Sequence, residues 1–246
     1  MIPSGWNEVT IFEYKEIIEI LEREDLSTFS KYLEVFCVLT ESDIYEDMSV
    51  DEIYSLINEN SWINTTPTDK NKENIDTFRF RPFRHIKFGE WIDLDKMVKT
   101  NNLLNTVSIL YRQHKFDEWN NLIWEPYIYS TEDRMESFED ASIEDVYGAY
   151  LKFLKYREKV LNAYAPVFEQ EESDYVPTEE DKEILSDAEI EQVKRDVKLE
   201  QEKQQFSWQH FIYKLCDGDL TKTEVILDLP VIYVFNTFLM KQKFNL

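Results

Sequence analysis

Along the amino-terminal part of the chain, apolar residues recur at helical spacing. Ile11, Tyr14, Ile17, Ile18 and Leu21 fall on one face of a 3.6-residue repeat. Ahead of them, Thr10-Ile11-Phe12-Glu13 has the capping-box form, in which a hydroxyl and a carboxylate each satisfy an orphan backbone N–H. Ser49-Val50-Asp51-Glu52, Ser186-Asp187-Ala188-Glu189 and Thr221-Lys222-Thr223-Glu224 have the same form, and Ser142-Ile143-Glu144-Asp145 is a weaker relative. The pattern predicts helices over 11–21, 28–39 and 50–60, the second burying Phe29, Tyr32, Leu33, Phe36 and Val38. Three short helices of this kind make a compact amino-terminal bundle.

Polar residues with Pro67 make 61–74 a loop. Next, Phe78-Arg79-Phe80-Arg81-Pro82-Phe83-Arg84-His85-Ile86-Lys87-Phe88 alternates aromatic and basic residues, which is the period of a strand. Pro82 makes it an edge strand or a pair of strands meeting at a bend. Helices are predicted over 93–99 and 103–114, followed by an irregular aromatic stretch through Trp119, Trp124, Pro126, Tyr127 and Tyr129. The longest helix is expected over 143–164, with Val146, Tyr150, Phe153, Leu154, Val160 and Leu161 inward and Pro166 ending it. Residues 169–183 hold eight acids and one lysine, the composition of a linker. A charged helix with few apolar positions, among them Ile190, Val193 and Val197, is expected over 188–205, for solvent or a partner. From 206 the pattern is dense and apolar, interrupted by Asp217-Gly218-Asp219 and Pro230. The expected fold is mainly α, a helical bundle with a small β element near 78–90 and a separate carboxy-terminal helical unit. Its divisions are 1–168, an acidic linker at 169–186, and 187–246.

Composition narrows the function. With 43% hydrophobic and 15% aromatic residues, 246 residues bury a sizeable core. The formal net charge of −23 repels DNA, RNA and anionic lipid at long range, so a general nucleic-acid binder is disfavoured. That charge serves solubility, and it equally suits an acidic surface facing a basic partner or lining a passage for nucleic acid. No apolar run reaches the ~18 residues of a membrane span. Cys37 and Cys216 sit in apolar stretches outside any CxxC, and no signal peptide is legible, so reduced thiols and a cytosolic origin are expected.

The four glycines, Gly5, Gly89, Gly148 and Gly218, stand far apart, so no phosphate-cradling loop or nucleophile elbow is present. His85, His114 and His210 are scattered, without the spacing of a zinc site. Asp217 and Asp219 could open a calcium loop, but Lys222 occupies the position that needs glycine. Gly218 ending a helix in the left-handed conformation, with Asp219 or Thr221 capping the next, is the better account. Neither a cofactor nor an enzymatic activity is expected. Arg79, Arg81, Arg84, His85 and Lys87 are the one basic concentration. Interleaved with phenylalanines, it fits an ordinary half-buried edge strand, a docking face for an acidic neighbour, or a base-stacking strand. Five of the six tryptophans, Trp62, Trp91, Trp119, Trp124 and Trp208, suit core or interface anchors. Candidate interface residues are Arg79, Arg81, Arg84, Lys87, Trp91, Trp124, Trp208, Phe235 and Phe238.

Two stretches carry a family resemblance. Ile86-Lys87-Phe88-Gly89-Glu90-Trp91-Ile92-Asp93-Leu94-Asp95, preceded by the Thr10–Tyr14 opening, resembles a segment of structural and assembly proteins of tailed phages infecting Bacteroides-type hosts. Trp208-Gln209-His210-Phe211-Ile212-Tyr213-Lys214-Leu215-Cys216-Asp217-Gly218-Asp219-Leu220-Thr221-Lys222, with Val234-Phe235-Asn236-Thr237-Phe238-Leu239, is similar to the carboxy-terminal unit of phage tail-assembly proteins. The Lys/Asn/Glu/Ile-rich style of the rest suits such phages, including the crAss-like group. The resemblance implies a non-enzymatic virion protein, a ring or collar subunit at the portal–tail junction and hence a homo-oligomer. Its partners would be portal, tail or neighbouring ring subunits, with passive proximity to DNA, no sequence-specific nucleic-acid binding and no membrane. It would reside in the virion, and in the host cytoplasm during assembly. The alternative it implies is a tail-assembly chaperone absent from the finished particle. In a ring, the basic strand at 79–87 facing the acidic 169–183 segment of a neighbour is one pairing to expect.

Overall fold

A computed structural model describes residues 2–42, 48–127, 132–168 and 207–244. The acidic linker at 169–186, the Ser186 capping box and the charged helix at 188–205 lie outside these residues, as does Tyr129.

The described residues are mainly helical, with one small antiparallel sheet. They divide into two compact units, one of 2–85 with 93–158, the other of 86–92 with 159–168 and 207–244. The second unit thus takes in the end of the long helix expected over 143–164, from 159 onward, and a short segment, 86–92, from the first half of the chain.

In the first unit, α1 (Ile11–Glu22), α2 (Thr28–Thr40) and α3 (Val50–Glu59) follow one another. Complete capping boxes start α1 and α3: Thr10 Oγ1 accepts from Glu13 N and Glu13 Oε2 accepts from Thr10 N, and Ser49 and Glu52 repeat the arrangement. Ser27 caps α2 by accepting from Ser30 N, a start the sequence reading places correctly without seeing its cap. Ile11, Ile17, Val35, Phe36 and Ile53 are fully buried, the inward faces of these helices.

The sheet has the order β1 (Asn74–Ile75), β2 (Phe78–Phe80), β3 (Tyr111–Phe116), β4 (Leu122–Trp124), each pair antiparallel. Register is fixed by Ile75 opposite Phe78, Phe80 opposite Tyr111 and His114 opposite Trp124. Phe78, Tyr111 and Phe138 bring their rings together on the buried side, with centroids 4.9 and 5.7 Å apart.

Three expectations are corrected here. β2 is an interior strand, not an edge, because it pairs with β1 on one side and β3 on the other. It stops before Pro82, which has no N–H to donate, and Phe83–His85 turn into a short 3-10 segment. The helix predicted over 93–99 starts earlier, as α4 (Phe88–Lys99). The helix predicted over 103–114 ends sooner, as α5 (Leu103–Leu110), and the chain enters β3 at once. Pairing with β2 takes Tyr111, Arg112 and Gln113 out of the helix. Beyond α6 (Glu132–Glu139), α7 (Ile143–Ala163) is the longest helix among the described residues, buried along Val146, Phe153 and Val160. α8 (Ala165–Phe168) carries Pro166 in its first turn, where the missing N–H costs nothing.

The second unit contains α9 (Ser207–Leu215), α10 (Thr223–Leu227) and α11 (Val231–Phe244). α9 ends as expected, with Gly218 at φ 77° and its N–H donating to the Tyr213 carbonyl at 3.1 Å. The Thr221 capping box does not form. Asp219 takes the Thr221 N–H and hydroxyl instead, so Thr221 is a donor to a cap rather than a cap.

Candidate functional site

The basic residues at 79–87 each have their own partner. Arg79, on β2, reaches back to Glu73 through Nε and a terminal nitrogen. Arg81 is buried, and one of its terminal nitrogens donates to the His85 carbonyl. Arg84 lies exposed on the 3-10 turn, and its Nε donates to His85 Nε2 at 3.0 Å. Burial and the charges of Arg84 and Arg81 hold the His85 pKa below its ordinary value. Lys87 belongs to the second unit and pairs with Asp228. The expected docking strand therefore stops at Phe80, and its cations are engaged by separate partners.

Three aromatic candidates are also corrected. Trp91, Phe235 and Phe238 are core residues of the second unit, the first two fully buried. Phe88 is at the centre of this cluster, with Trp208, Phe211 and Phe235 at ring-centroid distances of 5.6, 5.5 and 5.9 Å. Trp91 stands edge-on to Phe235, and Trp208 lies nearly parallel to it. The backbone joins the same segments: Phe88 N donates to Leu229 O at 2.8 Å and Val231 N to Ile86 O at 3.1 Å. Trp208 remains half-buried, its ring engaged with this core.

Trp124 is half-buried on β4, its ring 5.9 Å from that of His114. The β3–β4 hairpin to which it belongs presents Trp119, at 82% exposure the most exposed aromatic residue among the described residues. Its loop is tightly built. Asp117 Oδ1 accepts from Trp119 N at 2.8 Å and Asn121 N at 2.7 Å, and Oδ2 from Asn121 Nδ2 at 2.9 Å. Asn120 supplies the left-handed turn at φ 60°. These hydrogen bonds, that of the Asn121 side chain first, hold the Asp117 carboxyl below the usual range. Phe116 and Ile123 are exposed beside it, at 55% and 41%. The three hydrogen bonds to Asp117 fix the shape of the loop that carries Trp119. Its signal in the sequence is Asp117 followed by Asn120-Asn121 between two aromatic-rich runs, a turn signature.

The acidic pair beside Gly218 is committed to structure. Asp217 accepts from Lys241 Nζ at 2.6 Å, and Asp219 caps the following turn. Among the described residues, no group of three or more His, Cys, Asp or Glu is arranged to hold a metal ion. Neither Cys37 nor Cys216 forms a disulfide, and Cys216 is buried. Among the described residues no helix is long and apolar enough to cross a membrane. Neither a protein-family model, nor a curated protein, nor a solved structure matches the chain.

Proposed function

We propose that the chain is a non-enzymatic structural protein of a tailed bacteriophage, a ring or collar subunit at the portal–tail junction. One observation carries this reading. The two stretches that resemble phage assembly proteins are more than a hundred residues apart in sequence, yet they pack into one core through Phe88, Trp208, Phe211 and Phe235. Two resembling segments that share a core are worth more than two that do not, because the resemblance then follows a folded unit. The hairpin carrying Trp119 supplies a preorganised contact for a neighbouring subunit. The charge of −23 per chain, repeated around an axis, would keep DNA from adhering during passage.

The second reading is a tail-assembly chaperone. Tyr213, Leu220, Val225 and Tyr233 of the second unit are all more than half exposed, as transient binding of an apolar client would require. Quantitative mass spectrometry of purified particles separates the two. A copy number close to that of the portal subunit is the expected result. Abundant protein in infected cells with none in the particle would replace the ring subunit with the chaperone.

A further inference from the structure

α11 is packed on one side and keeps large apolar side chains exposed on the other, with Asn236 and Thr237 between them. Val231, Val234, Phe235 and Phe238 are buried, while Tyr233, Met240 and Phe244 stand outward at 59%, 58% and 59% exposure. Spaced seven and four residues apart, these three make a second stripe along the helix. Three large apolar side chains held in water along one line call for a cover. The charge beside it is unusual for this chain. From Leu229 to Leu246 the sequence holds no acid at all, and Lys243 is exposed next to Phe244.

α3 has the opposite character. Val50 and Tyr54 are 53% and 48% exposed one helical turn apart, and the exposed amide of Asn58 continues their line. Asp51 and Glu59 are exposed on the same outward side, one near each end of the helix, and α3 contains no cation. One helix therefore offers an apolar stripe edged by lysine, the other an apolar stripe edged by carboxylates.

We propose that the outward face of α11 docks on the outward face of α3 in a second copy of the chain. Complementary charge selects this occupant: each copy carries both halves of the contact, and like pairings, α3 on α3 or α11 on α11, bring equal charges together. A contact between different patches is heterologous, so it propagates head to tail and closes into a ring when the rotation allows. The inference rests on the repeated-subunit reading for its setting, and on exposure and charge for its geometry.

The test uses the full chain and substitutions at exposed positions. Sedimentation velocity of the wild-type protein is compared with the α3 variant Asp51→Lys/Glu59→Lys, the α11 variant Lys243→Glu, and their equimolar mixture, with circular dichroism as a control for folding. Wild type should associate with rising concentration and dissociate with salt, and each variant alone should associate at least about tenfold more weakly. The mixture should recover association, because every contact in an alternating array again joins opposite charges. Three results would overturn the proposal: a wild type monomeric at roughly 100 μM, association indifferent to both variants, or no recovery on mixing. None of these bears on the particle measurement, so failure of this contact is distinguishable from failure of the phage reading.

Discussion

Gly148, inside α7, donates its N–H to the Lys70 carbonyl at 3.0 Å, and a Cβ at this position would lie 2.3 Å from that same oxygen. The Asp69 carbonyl would be equally close. The loop before β1 is laid along the helix here: Lys72 N donates to Asp145 O at 2.9 Å, and Thr68 Oγ1 to Glu144 Oε2 at 2.9 Å. Two effects compete in Gly148→Ala. Helix propensity favours alanine by about 1 kcal/mol. The clash is with backbone, which no rotamer change relieves, and overpacking of this kind costs about 1–3 kcal/mol. The clash should win, and a lowered urea midpoint at unchanged slope is the expected result; a raised midpoint would show that the loop lifts away freely.

Asp95 tests the worth of a buried ion pair. Its side chain is 3% exposed, with Arg157 on Oδ1 at 2.6 and 2.8 Å and Lys99 on Oδ2 at 2.9 Å. Arg157→Ala removes the guanidinium from a buried carboxylate and should cost about 3 kcal/mol. Lys99→Ala removes a 62%-exposed ammonium and should cost less than about 1 kcal/mol. Equal losses in denaturant titrations of the two variants would contradict the geometry.

His85 should titrate below the ordinary histidine value of 6.5, with burial the first cause and Arg84 and Arg81 the others. As pH falls, the unfolded chain takes up the proton first. The stability tied to neutral His85 is therefore complete above about pH 6.5 and is lost as pH drops through the lower folded value. An NMR titration gives the midpoint, and Arg84→Ala should move it upward. An unchanged midpoint would remove the guanidinium from the explanation.

Asp117→Ala should loosen the hairpin tip without unfolding the protein. It deletes the carboxylate that accepts the Trp119 and Asn121 amides, in a loop that buries little. Faster hydrogen exchange confined to residues around 117–121 is expected. Protection equal to wild type would mean that the β3–β4 ladder alone shapes the loop.

Much of the helical fold is legible in the sequence because its ends are written locally. Thr10, Ser49 and the Pro166 region place the limits of α1, α3 and α7 to within about two residues. The sheet is not. Leu103–Leu110 has no glycine or proline after it, so nothing local halts the helix; the switch at Tyr111 depends on β2, which lies far back in the chain. β4 is three residues long, too short to show a period. At the candidate site, the aromatic–basic alternation before Phe88 is real, yet Pro82 divides it and Arg81 turns inward. Trp91 and Phe235 read equally well as anchors for a partner or for the core, because both uses demand the same side chains.

The discontinuous second unit sets a timetable for synthesis. Phe88 and Trp91 are translated early, whereas Trp208, Phe211 and Phe235, against which they pack, come more than a hundred residues later. At ~5–20 residues per second, these rings wait roughly ten seconds without their cover. The first half of the nascent chain thus carries a greasy segment through elongation, and a ribosome that stalls before α11 releases a product with its core open.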